Sequence, residues 1–408
     1  MKIIDSTPDR FFSTDSHYRV LKKIHNPQVQ RENIGKIISS FYYVREDEKV
    51  LDLASDLDKN DNIQAVGVTD SKDNIKGIII KKDLFNILGK PYGQDILKHK
   101  KVEKYRTAAI KFTFDRSILS VAEEIQDFLN STAMVSFVLY KEENKFAGIF
   151  TSIDMMMYLS LMTQRDMRLA RDLQNKIVKE DLSIEKDFFK MSCASHMAKG
   201  IGGDYYSVTN YENSKWFITI CDVCGKGLAA SLVSTSIAGM LNIYDFKNGT
   251  ENFISKLNYY ICRTFEFVTA AFIDFDETTG CLCIFDMGHS YIYLFKQDKL
   301  FRLRASGGNI PLGIQENVSP QCDKFILAPG DLFIMITDGI VEQTNSKGEE
   351  FGEKRLYKII KNNKNLDVSK LKDKLLEEIT SFRAPQTQND DITAVFLSYN
   401  GISPTSSK

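Results

Sequence analysis

The sequence predicts an α+β protein with more than one domain. Its 408 residues exceed the usual length of a single domain. In the C-terminal half, short apolar runs follow one another across turns, and helical patterns separate only some of them. This order favours an antiparallel sheet with accompanying helices over a doubly wound fold. In the N-terminal half, a unit of strands and helices occurs twice.

These patterns predict five segments. They are an N-terminal arm (1–34), a repeated module (35–160), a linker helix (161–183), a second domain (184–400) and a disordered tail (401–408). The arm is polar with scattered aromatic residues, and we interpret it as a leader or a partly ordered segment.

Charge and composition exclude several classes of protein. The net charge of −1 gives no reason to expect nucleic acid or an anionic membrane as a partner. No apolar run approaches the ~20 residues of a membrane span, and Met1–Arg10 lacks the apolar core of a signal peptide. Seven cysteines, an odd number without a disulfide-like framework, suit a reducing compartment. We therefore expect a cytoplasmic protein.

Four of the cysteines could form a zinc site. Cys221 and Cys224 make a C-x-x-C motif, and Cys281 and Cys283 could complete the ligand set. Alternation along a strand would instead place Cys281 and Cys283 on one face as ordinary core residues, and we favour this interpretation.

The repeat spans two similar units. Its predicted strands are Phe41–Val44, Gln64–Val68 and Lys76–Ile80 in the first copy, and Ala108–Phe112, Met134–Tyr140 and Ala147–Thr151 in the second. Gly77 and Gly148 occupy the same point in each copy. A repeat of this size predicts a paired module with pseudo-twofold symmetry.

The pair resembles a tandem CBS module, whose units end in Gly-apolar-apolar-Thr/Ser-x-x-Asp before a helix. Gly148, Thr151 and Asp154 match this motif, whereas Ile80 replaces the hydroxyl residue of the first copy. The resemblance implies one adenine-nucleotide site at Thr151 and Asp154. The alternative is that these two residues cap the helix that follows.

A helical pattern runs from Met155 to Leu182. Its apolar residues form one stripe between charged flanks: Leu159, Met162, Leu169, Leu173 and Ile177. We interpret it as a connecting helix that pairs with its copy in a homodimer, or that lies on its own domain.

In the second domain, an apolar run from Trp216 to Ile220 leads to Asp222. Gly225 and Gly227 then bracket Lys226, and a helix is predicted from Leu228 to Leu241. A carboxylate on a fixed strand beside a glycine-rich turn suits Mg²⁺ or Mn²⁺, which prefer carboxylate, carbonyl and water oxygens. The alternative is an Asp that caps the next helix.

Three further acidic sites follow the same pattern. Asp204 comes after Gly202-Gly203, Asp338 ends an apolar strand, and the pair Asp390-Asp391 begins the last one. Carboxylates at strand ends could converge on one edge of a sheet, where their repulsion favours cation binding.

The remaining elements of this domain complete the predicted antiparallel sheet. The predicted strands are 217–223, 268–275, 281–286, 291–295, 324–327, 332–337 and 392–398, and the predicted helices are 228–241, 252–265 and 368–380.

Residues 165–400 resemble the metal-dependent protein serine/threonine phosphatases (PPM type), in the bacterial branch similar to SpoIIE. The motifs that carry the resemblance are Leu169–Leu173, Gly202–Tyr206, Asp222–Gly227, Gly288-His289, Pro311–Gly313, Pro329–Asp331, Thr337–Gly339 with Glu342, and Asp390–Thr393. The resemblance implies a β-sandwich flanked by helices, with two Mn²⁺ or Mg²⁺ ions at one edge.

The resemblance also implies residue roles. Asp222 would bridge both ions, the Val223 carbonyl would bind one, and Asp338 and Asp390 would hold the second. Asp204 would act directly or through water, and Asp391 is a weaker candidate. A water activated between the ions would attack the phosphorus of a phosphoserine or phosphothreonine.

Several positions depart from the family pattern. Cys224 replaces a Ser, and Asp286-Met287 replaces Asn-Ala, which puts that loop's usual contacts in question. His289 could act as an acid or stabilise its loop, and Lys226 could meet the substrate phosphate or lie in solvent.

The first functional hypothesis is therefore a protein phosphatase regulated by its paired module. Its substrate would be a phosphorylated regulatory protein, and by resemblance an anti-sigma-factor antagonist. The second hypothesis is a non-catalytic signalling scaffold with a nucleotide-sensing module, and a third is a nucleotide-responsive metabolic regulator. The presence of Asp204, Asp222, Asp338 and Asp390 favours the enzyme.

Overall fold

The computed structural model describes residues 18–24, 33–305 and 307–401. The chain divides into two compact units, Met1–Gln164 and Arg165–Lys408. The predictions for residues 1–17 and 25–32 of the arm and for residues 402–408 of the tail lie outside the described residues. Within the described ranges, no helix has the length and apolar character required to cross a bilayer. The predicted α+β class is confirmed.

The first unit contains seven strands and six helices among its described residues. The strands are β1 (Lys22–Lys23), β2 (Tyr42–Arg45), β3 (Ala65–Thr69), β4 (Ile75–Ile80), β5 (Ile110–Thr113), β6 (Ser136–Lys141) and β7 (Lys145–Thr151). The helices are α1 (Val50–Asp58), α2 (Lys81–Leu88), α3 (Gly93–Leu97), α4 (Ile118–Glu124), α5 (Gln126–Leu129) and α6 (Ser152–Ile177), the last of which continues into the second unit.

The two halves of this unit share one topology. In the first half β2 pairs parallel with β3, which pairs antiparallel with β4; in the second half β5, β6 and β7 repeat both pairings. A cluster of buried residues, including Ile78, Val138 and Phe146, draws on both halves. The strand–helix–strand–strand–helix order predicted from the repeat is therefore present in each copy.

Part of the predicted arm belongs to this unit. Residues 18–24 pack on it: Val20 and Leu21 are buried, and both of their N–H groups donate to Asp56 Oδ2, at 2.8 and 3.1 Å. Strand β1 pairs antiparallel with β2. The sequence did not indicate this packing, because the apolar pair is too short to be distinguished in a polar segment.

The second unit contains the remaining elements. Its strands are β8 (Asp181–Glu185), β9 (Phe189–His196), β10 (Tyr205–Glu212), β11 (Lys215–Val223), β12 (Val268–Asp276), β13 (Cys281–Met287), β14 (Ile292–Lys296), β15 (Lys299–Leu303), β16 (Asp323–Ile326), β17 (Leu332–Ile336) and β18 (Ile392–Tyr399). Its helices are the end of α6, α7 (Leu228–Ile243), α8 (Thr250–Thr264), α9 (Asp338–Val341), α10 (Gly352–Asn362) and α11 (Val368–Arg383).

These strands form two antiparallel sheets. One has the order β10-β11-β12-β13-β16, and the other has the order β15-β14-β17-β18-β9-β8. Phe189 of the second sheet packs edge-on against Trp216 and Phe275 of the first, so one core lies between the sheets. On the outer face of the first sheet, Phe217 contacts Phe253 of α8. Together with the packing of α10 and α11 on the second sheet, this gives four layers, helix–sheet–sheet–helix.

The linker helix is shorter than its sequence pattern predicts. Helix α6 ends at Ile177, and Leu182 lies in β8 rather than in the helix. Residues 181–185 alternate between exposed and half-buried positions, which is the period of a strand. The apolar residues of this short stretch fit either period, and the pairing with β9 decides the outcome.

One disulfide modifies the interpretation of the cysteines. Cys283 on β13 is bonded to Cys322, with their Cα atoms 5.7 Å apart, whereas Cys281 remains a free thiol. Cys283 is therefore not available to complete a zinc site with Cys221 and Cys224. The interpretation of Cys283 as an ordinary core residue missed this bond, because Cys322 is distant in sequence and becomes its neighbour only when β13 pairs with β16.

Candidate functional site

Asp222 lies near the end of a buried central strand. Strand β11 pairs with β10 on one side and β12 on the other, with Asp222 opposite Thr269 and Val223 opposite Val268. Helices cover one face of β11 and the second sheet covers the other, and both faces of the strand are apolar. The Asp222 carboxylate is therefore held on a fixed strand, at the edge of the first sheet where that strand ends.

Asp338 and Asp390 come from the second sheet. Asp338 begins α9 immediately after Thr337, which follows β17, and Asp390 lies two residues before the start of β18. Because β17 and β18 are antiparallel neighbours, the end of one and the start of the other lie at the same edge. The carboxylates that the sequence places at strand ends thus meet where the edges of the two sheets adjoin.

Asp204 is the most deeply buried member of the group, with 2% of its surface exposed. The Thr337 hydroxyl donates to its Oδ2 at 2.8 Å. That hydroxyl also accepts the N–H of Thr393 at 2.9 Å, and the Thr393 hydroxyl is 2.8 Å from Ser195 Oγ. A buried chain of hydroxyl groups therefore joins Asp204 to both strands that carry the other carboxylates.

The carboxylates perturb one another electrostatically. Burial, followed by the charges of Asp338 and Asp390, raises the pKa of Asp222 to about 7. Burial, followed by the charges of Asp222 and Asp391, raises the pKa of Asp204 well above its usual range. The pKa of Asp338 is also raised, by burial and then by Glu342 and Asp390. Perturbation of this kind is typical of sites that bind cations or perform proton chemistry.

Asp391 has a different environment. Its Oδ1 accepts the N–H of Ala198 at 2.8 Å, and its Oδ2 accepts the N–H of Gly203 at 2.8 Å. A Cβ atom on Gly202 would lie 1.8 Å from Asp391 Oδ2, so only glycine permits this approach. Both oxygens of Asp391 thus hold the loop that leads to Asp204. Because both already accept backbone N–H groups, we interpret Asp391 as a residue that positions this loop rather than as a direct ligand.

Lys226 is the cation in contact with the acidic group. Its Nζ lies 2.8 Å from Asp390 Oδ2 and donates to the Asn389 carbonyl at 2.9 Å. Gly227, with φ +81°, then turns the chain into α7. The lysine is therefore not a purely solvated turn residue, although about half of its side chain is exposed.

The donor set fits a divalent cation in its chemistry. One buried and several half-buried carboxylates at one edge, with a neighbouring backbone carbonyl at Val223, are the hard oxygen ligands that Mg²⁺ and Mn²⁺ prefer. Among the described residues, no three His, Cys, Asp or Glu side chains are arranged as a ready-made cage for one ion. The second oxygen of Asp390 is paired with Lys226, so loading a cation at Asp390 requires this ion pair to open.

His289 is a component of its loop rather than an acid. Burial lowers the pKa of its imidazole to about 4, so the ring is neutral at physiological pH. The backbone N–H groups of His289 and Ser290 donate to Asp286 Oδ1, at 2.8 and 3.2 Å. Asp286 therefore stabilises the turn itself, in the position where the sequence departs from the phosphatase pattern.

In the first unit, Thr151 and Asp154 contact each other. The N–H and the hydroxyl of Thr151 donate to Asp154 Oδ2 at 2.8 and 2.7 Å, and the N–H of Asp154 donates to Thr151 Oγ1 at 3.1 Å. This reciprocal arrangement is a capping box at the start of α6. It favours the capping interpretation over the nucleotide site.

Sequence reasoning missed the residues that hold the carboxylates in place. Gln174 bonds the backbone of Gly202, and Thr393 and Ser195 extend the hydroxyl chain from Asp204. Nothing in the local pattern distinguishes these residues from ordinary polar residues. Thr337 and Thr393 lie within the family motifs Thr337–Gly339 and Asp390–Thr393, but the sequence indicates no separate role for either residue.

Comparison with known proteins identifies relatives of the second unit. Residues 212–400 match the family model described as Stage II sporulation protein E (SpoIIE). Stage II sporulation protein E of Bacillus subtilis is 27% identical over 212 residues, which cover 50% of this chain and 25% of that protein. Phosphoserine phosphatase RsbP of B. subtilis is 20% identical over 240 residues, covering 57% of each chain.

Solved structures with a similar fold include phosphatase domains. The SiaA-PP2C domain of Pseudomonas aeruginosa matches with a TM-score of 0.49 and 15% identity, covering 59% of this chain and 98% of that one. A SpoIIE fragment from B. subtilis that contains the PP2C phosphatase domain matches with a TM-score of 0.45 and 22% identity, covering 58% and 75%. The chain spans no more than 57% of the length of the two curated relatives described above.

Proposed function

We propose that this protein is a metal-dependent phosphatase that hydrolyses phosphoserine or phosphothreonine on a regulatory protein. The observation that carries the proposal is the convergence of Asp222, Asp338 and Asp390 from the edges of two sheets, where burial and neighbouring carboxylates raise the pKa values of Asp222 and Asp338. The match of residues 212–400 to the SpoIIE family model supports it.

The roles of the residues follow from their positions. Asp222 and the Val223 carbonyl would hold one divalent ion, and Asp222, Asp338 and Asp390 would hold a second. Two Mn²⁺ or Mg²⁺ ions supply Lewis acidity and neutralise charge, which lowers the pKa of water and stabilises the phosphoryl oxygens. Asp204, fixed by Thr337, orients the group as a ligand or through water. Asp391 keeps the loop before Asp204 in place.

Lys226 has a proposed role at the substrate. Its ammonium group lies beside Asp390, at the mouth of the acidic group, and its exposed side chain can reach a phosphate. With Asp390 engaged by a cation, the Lys226 ammonium group would be free to bind the phosphate of a phosphoprotein substrate.

The substrate and its regulation are finer parts of the proposal. Phosphoserine phosphatase RsbP is one of the similar proteins, which supports a phosphoserine substrate. Because the sequence resembles the SpoIIE branch, a phosphorylated regulatory protein such as an anti-sigma-factor antagonist is the substrate to test first. The first unit acts as the regulatory module through α6, within a cytoplasmic homodimer. The exposed apolar residues Leu161, Leu169 and Leu173 of α6 supply a surface for that dimer.

Nucleotide sensing by the first unit is tested by thermal unfolding with ATP and with AMP. A rise in melting temperature in the wild type that Thr151→Ala abolishes would support an adenine-nucleotide site. Because Thr151 also caps α6, the variant is compared with its own nucleotide-free melting temperature. An unchanged melting temperature with both nucleotides would leave the module without this role.

Catalysis is tested with p-nitrophenyl phosphate and a phosphoserine peptide. The full chain should hydrolyse both with Mn²⁺ and neither with EDTA, and Asp222→Asn should lose at least about 100-fold in rate because it carries both ions. Asp187→Asn, at an exposed position outside the site, is the matched control. A folded wild type that is inactive with Mn²⁺ and Mg²⁺ would favour the alternative function, a non-catalytic signalling scaffold.

A further inference from the structure

Gln174, near the end of α6, has a buried polar side chain with only 3% of its surface exposed. Its Nε2 donates to the carbonyl of Gly202 at 2.7 Å, and its Oε1 accepts the N–H of Gly202 at 3.1 Å. Nε2 also lies 3.2 Å from Ser234 Oγ on α7. The Gln174 amide therefore hydrogen-bonds both the N–H and the carbonyl of Gly202, and it links Gly202 to α6 and α7.

Gly202 lies two residues before Asp204, in the loop between β9 and β10. The next residue, Gly203, donates its N–H to Asp391 at 2.8 Å. The loop is thus fixed at successive residues from opposite sides, by Gln174 and by Asp391. Because a buried backbone group without a partner is strongly unfavourable, loss of the amide would force this loop to move or to admit water.

A second residue of α6 acts on the same loop. Arg171, three positions earlier and therefore on the same side of the helix, donates from Nε to the Gly200 carbonyl at 3.1 Å and from Nη2 to the Lys199 carbonyl at 3.3 Å. A cavity of about 440 Å³ lies against Ala198, Lys199 and Gly200, so close side-chain packing does not fix that side of the loop. The hydrogen bonds from Arg171 hold it instead.

We propose that Gln174 is a positioning residue for the metal-binding loop, and that its contact with Gly202 makes divalent-cation affinity depend on how the end of α6 is seated. The inference rests on the proposed function, which assigns Asp204 to the cation site. A shift of these last turns of α6 acts first on Asp204 and Asp391, through the backbone between them. The regulated quantity is then metal affinity rather than the rate at saturating metal.

The test measures Mn²⁺ binding to the full chain by isothermal titration calorimetry, without substrate, alongside activity as a function of Mn²⁺ concentration. Gln174→Met keeps the side-chain volume and removes both hydrogen bonds to Gly202, together with the contact to Ser234. Gln174→Glu keeps an acceptor for the Gly202 N–H. We expect Gln174→Met to weaken Mn²⁺ binding about 10- to 100-fold, as for other residues that support metal ligands. The rate at saturating Mn²⁺ should remain within about threefold of the wild type, since no ligand is removed.

Asn175→Ala is the matched control, an exposed amide one position along the same helix, and it should leave Mn²⁺ affinity unchanged. Wild-type affinity in Gln174→Met and Gln174→Glu would overturn the inference while leaving the proposed function intact. Unfolding of both variants in EDTA would also overturn it, because a general structural role would explain the loss. If the wild type binds Mn²⁺ and the variants bind it weakly, but none hydrolyses a phosphomonoester, the inference stands and the proposed function fails.

Discussion

The Thr337 hydroxyl donates a hydrogen bond to Asp204 Oδ2 at 2.8 Å, although the two residues are 133 positions apart. Thr337 follows the last residue of β17 and directly precedes Asp338. The same hydroxyl accepts the N–H of Thr393 from β18. A single side chain therefore couples Asp204 to the ends of β17 and β18 that adjoin Asp338 and Asp390.

Replacement of Thr337 by Val should weaken the site without enlarging a cavity. The variant removes one of the hydroxyl donors to Asp204 and leaves the Thr393 N–H without its buried acceptor, which should lower the free energy of unfolding by about 1–3 kcal/mol. The half-saturating Mn²⁺ concentration for phosphatase activity should rise about tenfold. Thr337→Ser, which keeps the hydroxyl, is the control. Equal Mn²⁺ dependence in the Val and Ser variants would contradict the role assigned to the hydroxyl.

Without divalent cations, stability should fall as pH rises through the range set by Asp222. Burial and then the charges of Asp338 and Asp390 raise its pKa to about 7, whereas an unfolded Asp has a pKa of about 3.9. The folded chain therefore holds a proton that the unfolded chain releases in this window. The free energy of unfolding should decrease by on the order of 4 kcal/mol between about pH 4 and pH 7.

Urea unfolding in EDTA at several pH values measures this effect. Asp222→Asn cannot ionise at this position, so its stability should depend less on pH and should exceed that of the wild type near pH 8. Addition of Mn²⁺ should reverse the order of the two proteins, because only the wild type gains binding energy. Parallel pH profiles for wild type and Asp222→Asn in EDTA would refute this electrostatic account.

Removal of the Lys226 ammonium group should strengthen cation binding and weaken substrate binding. In Lys226→Met, a cation no longer competes with the lysine for Asp390, and Mn²⁺ affinity should rise about two- to fivefold, as expected for an exposed ion pair. The KM for a phosphoserine peptide should increase, because a donor to the phosphate is lost. Lys226→Arg should preserve both properties. Weaker Mn²⁺ binding in Lys226→Met would show that the lysine supports the metal site instead.

Thr151→Ala should destabilise the start of α6. The variant loses the hydroxyl contact with Asp154 and the cap on the Asp154 N–H, so the free energy of unfolding should fall by about 1 kcal/mol. Thr151→Ser should retain most of this stability. Chemical denaturation without nucleotide makes the comparison, and a Thr151→Ala variant as stable as the wild type would argue against the capping role.

The elements most accurately predicted from sequence were those with strong apolar runs. The strand predicted at 217–223 spans Lys215–Val223, and the helix predicted at 228–241 spans Leu228–Ile243. Strand β9 was missed because Phe189–His196 is buried on both faces and its small and polar residues show no alternation. Strand β10 was missed because its second half is largely exposed and polar. These strands form because neighbouring strands pair with them, which local composition does not reveal.

The candidate site shows the same division. Asp222 and Asp338 were identifiable because each interrupts an apolar run at the end of a strand. Gln174 was not identifiable, because a buried amide on a helix has the same sequence pattern as an exposed one. Its role depends on Gly202, 28 residues away, which approaches it only after β8 and β9 have formed. The residues proposed as ligands were thus more accessible to sequence reasoning than the residues that hold them in position.

The most direct test of the central claim is an anomalous diffraction measurement on crystals of the full chain grown with Mn²⁺. We predict two Mn²⁺ peaks flanking the Asp222 carboxylate, one beside the Val223 carbonyl and one between Asp338 and Asp390, and no peak at this edge in Asp222→Asn crystals. Strong Mn²⁺ peaks elsewhere in the second unit, with none beside Asp222, would contradict the claim that these carboxylates form the metal centre.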